Sequence, residues 1–461
     1  MKKAIAIGLL QLPLQVFISL MVQAVLINSA SVEIVKWWYL LLALTPIFVV
    51  LEFAYPQIAI SYFNGRNTSR NVLPFLKNSI LTITFFQLLF FLIYIYIINV
   101  VGLELIIFFL SMYLRSLGNL LISIIYAKGF VLTEKVYKLL FSSLFPILFL
   151  IMAQAVEIDK KFILTIWFLC SLLLFLYAMF YFSKMEENSN LGVIDSPICI
   201  KNNVRLILTT LPGVFIFNMS IYYLEIFYDG ENVIEIVTFG LFLQLFNVFN
   251  VLNSIFPSVF IPALSKKFHS GARIEEDVFT ILFVNKSISI FLIVGLIFFG
   301  EPLLSLVIKE SRINFEVIVF FFAASVLIES IQVTLTSISI GTGCYKYHIP
   351  SFFSALLVLL FSYYLVPSYG SPGLILSILS SQVFTCLPVN TYISSKRLGI
   401  RTYRVFCVWI SILFSLIGAL IIKNFVYNYL FLIFIYSAFL FLYLLFLRKD
   451  ISNVTQYLIN R

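Results

Sequence analysis

Residues 106–126 read IIFFLSMYLRSLGNLLISIIY, an apolar run with a single charge, Arg115, near its middle. A bilayer core about 30 Å thick is crossed by about 20 apolar residues of helix, so this stretch is a membrane span. A cation at its centre costs about 2.5–3.5 kcal/mol on insertion scales when nothing receives it. The rest of the chain has the same character: 62% of its 461 residues are hydrophobic and 11% charged, against about 25% charged in ordinary soluble domains. No water-facing fold can cover so much Phe, Leu and Ile, and the solvent must be lipid.

Working outward from this stretch, candidate spans fall at about 4–28, 37–63, 78–100, 103–126, 139–156, 162–182, 206–228, 236–264, 281–305, 317–341, 349–366, 372–393, 405–422 and 430–447. The lengths are those of helices; barrel strands would be half as long and would alternate. The predicted fold is an all-α polytopic membrane protein of about fourteen helices. The first run, after Lys2 and Lys3, is too long for the apolar region of a signal peptide and reads as a retained span.

Charge sets the orientation. Of 30 basic residues, Lys36, Lys160, Lys161, Lys309, Arg312 and Lys423 fall in gaps on one side. Arg115 apart, the other 23 fall on the side of the N-terminus, Lys286 being counted there with the gap between spans eight and nine. The positive-inside rule then predicts an even number of crossings with both termini in the cytoplasm, and hence a multi-pass protein of the cytoplasmic (inner) membrane. The net charge of +9 is spread as topology markers and forms no patch for nucleic acid. The five cysteines show no metal spacing, and His269 and His348 share no cluster with acids or cysteines. Neither a metal site nor a cofactor is expected. The longest outer gap, about a dozen residues, leaves no room for the catalytic loop of a membrane glycan polymerase or ligase. No catalytic residues are expected, and the chain reads as a transporter, not an enzyme.

Two halves correspond. Leu12-Pro13 matches Leu211-Pro212, Tyr55-Pro56 matches Phe256-Pro257, and Gly129 matches Gly343. This predicts two six-helix bundles as parallel repeats, 1–183 and 206–394, joined by a cytoplasmic linker over 184–205, with two additional helices and a tail over 395–461. The offset between the two glycines carries Arg115 onto Glu329, so a cation in one bundle is expected opposite an acid in the other.

Two readings of Arg115 stay open. In a water-filled cavity its guanidinium fork suits a phosphate or a sugar acid; in a dry core it pairs with Glu329, Glu52 or Glu225. Glu52, in FVVLEFAYPQIAI (48–60), sits one turn before Pro56, where the helix is expected to bend. With Glu225 and Glu329 it is a candidate for holding a coupling cation or proton, or for pairing with Arg115. In span eight, Gln244, Asn247, Ser254 and Ser258 share a helical face, which Asn250 and Asn253 flank. That face either lines a cavity and hydrogen-bonds sugar hydroxyls or joins helices.

Five stretches then resemble a known family: LRSLGNLLISIIYAKG (114–129), FPSVFIPALSK (256–266), GEPLLSLVI (300–308), GTGCYKYHIP (341–350) and VPSYGSPGLILSILSSQV (366–383). They are similar to the polysaccharide-exporter branch of the multidrug/oligosaccharidyl-lipid/polysaccharide (MOP) superfamily, the flippases of O-antigen and capsule repeat units. The resemblance implies two bundles around a central cavity and alternating access. It implies an undecaprenyl-diphosphate-linked oligosaccharide carried from the cytoplasmic to the periplasmic leaflet, driven by a proton or sodium gradient. Membrane lipids, a glycan polymerase and chain-length machinery are the partners it implies. Helices thirteen and fourteen resemble the pair that helps form a lipid-tail groove in lipid II flippases. A cation-coupled multidrug or metabolite antiporter of the same fold is the alternative.

Overall fold

The structure, a computed structural model, describes residues 18–19, 21–56, 58–59, 72–98, 102–186, 200–228, 232–305, 315–342, 344, 346–425, 432 and 436–437. After a helical segment over 21–29 come α1 (Val32–Leu51), α2 (Val72–Ile98), α3 (Leu103–Ala127), α4 (Val131–Met152), α5 (Lys160–Glu186) and α6 (Ile200–Gly213). A π-helical turn over Val214–Asn218 leads to α7 (Ile221–Phe227), α8 (Asn232–His269), α9 (Glu275–Ser305), α10 (Phe315–Gly341) and α11 (His348–Ser381). A second π-helical turn, Gln382–Cys386, precedes α12 (Leu387–Leu398) and α13 (Thr402–Phe425). The described residues contain no strand.

Among the described residues, ten helical stretches are long and apolar enough to cross a membrane, and a bent pair, Ile207–Asn218 with Ile221–Phe227, makes an eleventh. One of the ten, His348–Leu398, has 51 residues, about 77 Å at 1.5 Å per residue. That is two crossings, divided at Gly370, whose φ of 55° and ψ of −133° leave the helical region. Twelve of the fourteen expected spans are thus accounted for; the first and the last lie largely outside the described residues. One placement changes. Lys286 is not a gap residue: it lies well inside α9, within a span.

Burial along these helices is inverted relative to a soluble protein, because lipid receives the large apolar side chains. On α11, Phe352, Phe353, Leu356, Leu360, Tyr363 and Tyr364 face outward while Ser354, Ser362, Ser371, Ser377 and Ser381 are wholly buried. Small residues let neighbouring backbones approach closely where no hydrophobic force drives helices together. The chain forms two compact units, Met1–Val214 and Phe215–Arg461. In the first, α3 packs most extensively on α5 and also touches α1, α2 and α4. In the second, α10 packs on α8, α9, α11 and α12, and α13 lies against α9.

The break at Gly370 has a local cause. A Cβ there would meet the Glu235 carboxylate at 2.9 Å. That carboxylate, from the first turn of α8, accepts hydrogen bonds from Ser371 N at 2.8 Å and from Ser371 Oγ. It thereby receives a backbone donor that the break frees. Gly370→Ala is expected to cost about 1–3 kcal/mol, because only glycine adopts this backbone conformation without strain. The cost is read as a lower apparent melting temperature in detergent. Melting unchanged from the wild type would show that the bend does not need this conformation.

Candidate functional site

The charged residue that marked the decisive stretch lies in the first unit, on the polar face of α3. Ser111, Arg115, Ser116, Asn119 and Ser123 recur at helical spacing, so one face of an otherwise apolar helix carries its polar groups. Arg115 is half-buried, with its guanidinium carbon 3.9 Å from the centre of the Phe141 ring on α4. A cation over an aromatic face is stabilised by about 2 kcal/mol when desolvated, part of the cost of putting it there.

The acid beside it is Glu52, 4% exposed. Asn119 Nδ2 donates to Glu52 Oε1 at 3.1 Å, and Tyr137 Oη of α4 donates to Asn119 Oδ1 at 3.4 Å. Gln87 Nε2 of α2 donates to Ser116 Oγ at 2.8 Å, behind the same face. Three helices of one unit therefore meet in a chain Tyr137–Asn119–Glu52, and a fourth, α2, bonds the same helix α3 at Ser116. The Arg115 charge lies within electrostatic reach of both ends of that chain. Within the unit, no described carboxylate comes within the 4.0 Å of an ion pair with the guanidinium. Glu52 balances the field; it does not occupy the donors of Arg115.

The backbone under Glu52 is broken. Helix α1 stops at Leu51, and Phe53 and Ala54 have φ of 54° and 55° before the helix resumes at Tyr55. Two successive non-glycine residues in the left-handed region cost about 1–3 kcal/mol each and gather where function over-determines the structure. The expected bend is present, displaced from Pro56 to the turn before it. The interruption lets Glu52 reach Asn119 from the end of a helix instead of from its side.

The other expected residues are placed as follows. Glu225 is exposed on α7 and Glu329 is half-buried on α10. Gln244 and Asn247 are half-buried on α8, and Ser254 is on the same helix with its side chain outside the described residues. A cavity of about 30 Å³ against α8 is lined by Phe239, Phe242, Leu243 and Phe246 together with Phe217, Phe322, Ser325, Ile375 and Ile378. The structure brings together Arg115 and Glu52; Glu225, Glu329, Gln244 and Asn247 belong to the second unit.

Sequence reasoning missed Asn119 and Tyr137. Asn119 was legible as the residue one turn beyond Arg115, whereas nothing in the sequence pointed to Tyr137. It also missed a buried network in the second unit. There Asn285 Nδ2 donates to Asn253 O and Thr334 Oγ1, each at 2.6 Å, and Ser289 Oγ donates to Asn253 Oδ1 at 2.6 Å. Read from spacing alone, Asn253 is no more than a flank of the Gln244 face.

Among solved structures the chain is similar to the lipid II flippase MurJ in an inward closed conformation, at a TM-score of 0.65 and 14% identity over 96% of this chain and 99% of that one. The chain has the MOP-transporter fold. A MOP-superfamily transporter from Pyrococcus furiosus (TM-score 0.58, 11% identity, covering 90% and 96% of the two chains) and a point mutant of the Vibrio cholerae MATE transporter VcmN (0.57, 12%, 86% and 98%) share it. The capsular polysaccharide biosynthesis protein CapF of Staphylococcus aureus is 25% identical over 236 residues, 48% of this chain and 55% of that protein. The chain thus matches about half the length of that curated relative. No family model matches. The proteins of this fold named here are transporters and a flippase. The MOP fold and the long apolar helices make this a multi-pass membrane protein.

Proposed function

We propose that this protein is a flippase that moves an undecaprenyl-diphosphate-linked oligosaccharide repeat unit, of O-antigen or capsule type, from the cytoplasmic to the periplasmic leaflet. The observation that carries the reading is Arg115: a guanidinium inside a span, half-buried, seated on Phe141, with an acid nearby that leaves its donors unpaired within the unit. Such a fork receives a diphosphate bidentately. The likeness in fold to a lipid II flippase and the partial match to a capsule biosynthesis protein favour a lipid-linked glycan as the cargo.

In this reading the protein lies in the bacterial cytoplasmic membrane with both termini in the cytoplasm. It works by ion-coupled alternating access, with membrane lipids, a glycan polymerase and chain-length machinery as partners. Glu52, Glu225 and Glu329 are the acids proposed to bind the coupling proton or sodium ion. Gln244, Asn247 and Ser254 meet the sugar. The second reading, a cation-coupled multidrug or metabolite antiporter, is favoured by the MATE transporter of the same fold.

The test is reconstitution of the full chain into liposomes loaded with an undecaprenyl-diphosphate-linked oligosaccharide. Appearance of the glycan on the opposite leaflet under an imposed proton or sodium gradient, scored by accessibility to a lectin or a glycosidase, is the expected result. Gradient-dependent export of cationic drugs with no movement of the lipid-linked glycan would establish the antiporter instead.

A further inference from the structure

The second unit carries another cation inside a span. Lys286 lies on α9, between Asn285 and Ser287, which are 2% and 0% exposed, but its own side chain is half-buried and turns toward α13. Its Nζ donates to Ser411 Oγ of α13 at 2.6 Å, and the Phe283 ring lies 5.5 Å from it. Both neighbours are neutral. No described carboxylate forms an ion pair with this ammonium.

The nearest acids on its helix are in the first turn of α9, nine to eleven residues away, or about 13–17 Å along the axis. All three are bonded elsewhere: Asp277 to Lys267 at 2.5 Å, Glu276 to Arg404 at 2.9 Å, and Glu275 to Arg404 at 3.7 Å and to Arg401 N at 3.4 Å. The contact of Glu276 with Arg404 also shows that α9 and α13 begin at the same end of the unit. A side chain on a helix leans toward the helix N-terminus, so the Lys286 stem leads back toward that charged end. Lysine stems on membrane helices snorkel in this way toward the headgroups. The flank of α13 that it meets is open to the membrane, with Ile410, Leu413 and Phe414 exposed beside Ser411.

We propose that Lys286 and Ser411 form a binding site for the phosphate of an anionic membrane lipid, in the seam between α9 and α13. The ammonium supplies the charge, the hydroxyl turns from Val408 O, to which it donates at 2.7 Å, to donate the second hydrogen bond to the phosphate, and the lipid supplies the anion. The site stands apart from the flippase reading, since lipid retention is measured without transport.

The experiment is native mass spectrometry of the purified full chain with added phosphatidylglycerol, phosphatidylcholine or inorganic phosphate. The wild type is expected to retain phosphatidylglycerol at least fivefold more than phosphatidylcholine and to hold no inorganic phosphate. Lys286→Arg keeps that preference. Lys286→Met, which preserves the apolar stem, abolishes it while the lipid-free protein melts as the wild type does. Lys286→Ala repeats the loss if it folds. Undiminished preference in Lys286→Met would overturn the proposal, as would equal retention of the two lipids by the wild type. Retention of inorganic phosphate by the wild type would overturn the lipid as the source. A large fall in the melting temperature of lipid-free Lys286→Met would make the lysine a strut between two helices and overturn the proposal as well.

Discussion

Arg115→Ala is expected to abolish display of the glycan in a deletion strain while the protein still inserts at the normal level. In liposomes, transfer of the lipid-linked oligosaccharide should fall by roughly tenfold or more, the factor for a lost charge-assisted contact of about 1.5–3 kcal/mol. Insertion is unharmed because the substitution removes a costly cation and leaves Glu52 held by Asn119. Arg115→Lys keeps the charge and loses the planar fork, so partial transfer is expected. The seat on Phe141 also suits the flat guanidinium better than an ammonium. Full glycan display by Arg115→Ala would remove this residue from the mechanism and with it the observation on which the functional reading stands.

Neutralising Glu52 tests the electrostatic partnership. Glu52→Ala strips Asn119 Nδ2 of its acceptor, at about 1–3 kcal/mol for a buried donor, and leaves Arg115 without the buried acid beside it. Glu52→Gln restores an acceptor but not the charge, so its difference from the wild type isolates the field at Arg115 and its difference from Glu52→Ala isolates the hydrogen bond. Combining Glu52→Gln with Arg115→Gln should recover part of the loss, with a coupling of about 0.5–3 kcal/mol between residues in one network. Apparent melting temperatures of the four proteins in one detergent give the cycle. Strict additivity would mean that the two side chains do not sense each other.

Much of the architecture was legible because lipid is a demanding solvent. Every backbone donor and acceptor inside a bilayer must be satisfied within a helix. Apolar run length therefore located the expected spans, and Arg115 stood out by breaking a run. Reading gaps by charge failed at Lys286, where a lysine some ten residues into a helix looked like a topology marker. Its contact with Ser411 depends on how α9 and α13 pack, 125 residues apart in the chain.

The site divides in the same way. That Arg115 is costly, that Glu52 is an acid inside a span, and that Asn119 shares a face with Arg115 all follow from local spacing. That the helix breaks just after Glu52, at Phe53 and Ala54 and not at Pro56, does not. Neither residue type favours the left-handed backbone, so only contacts made by the folded unit can hold them there. The Gly370–Glu235 junction, joining residues 135 positions apart, is of the same kind. The order of residues alone decided which segments enter the membrane, because transfer from water to lipid is a sum over neighbours along one helix. Tertiary structure decided which polar groups meet inside it, because a buried donor takes whatever acceptor packing brings within about 3 Å, however distant in the chain.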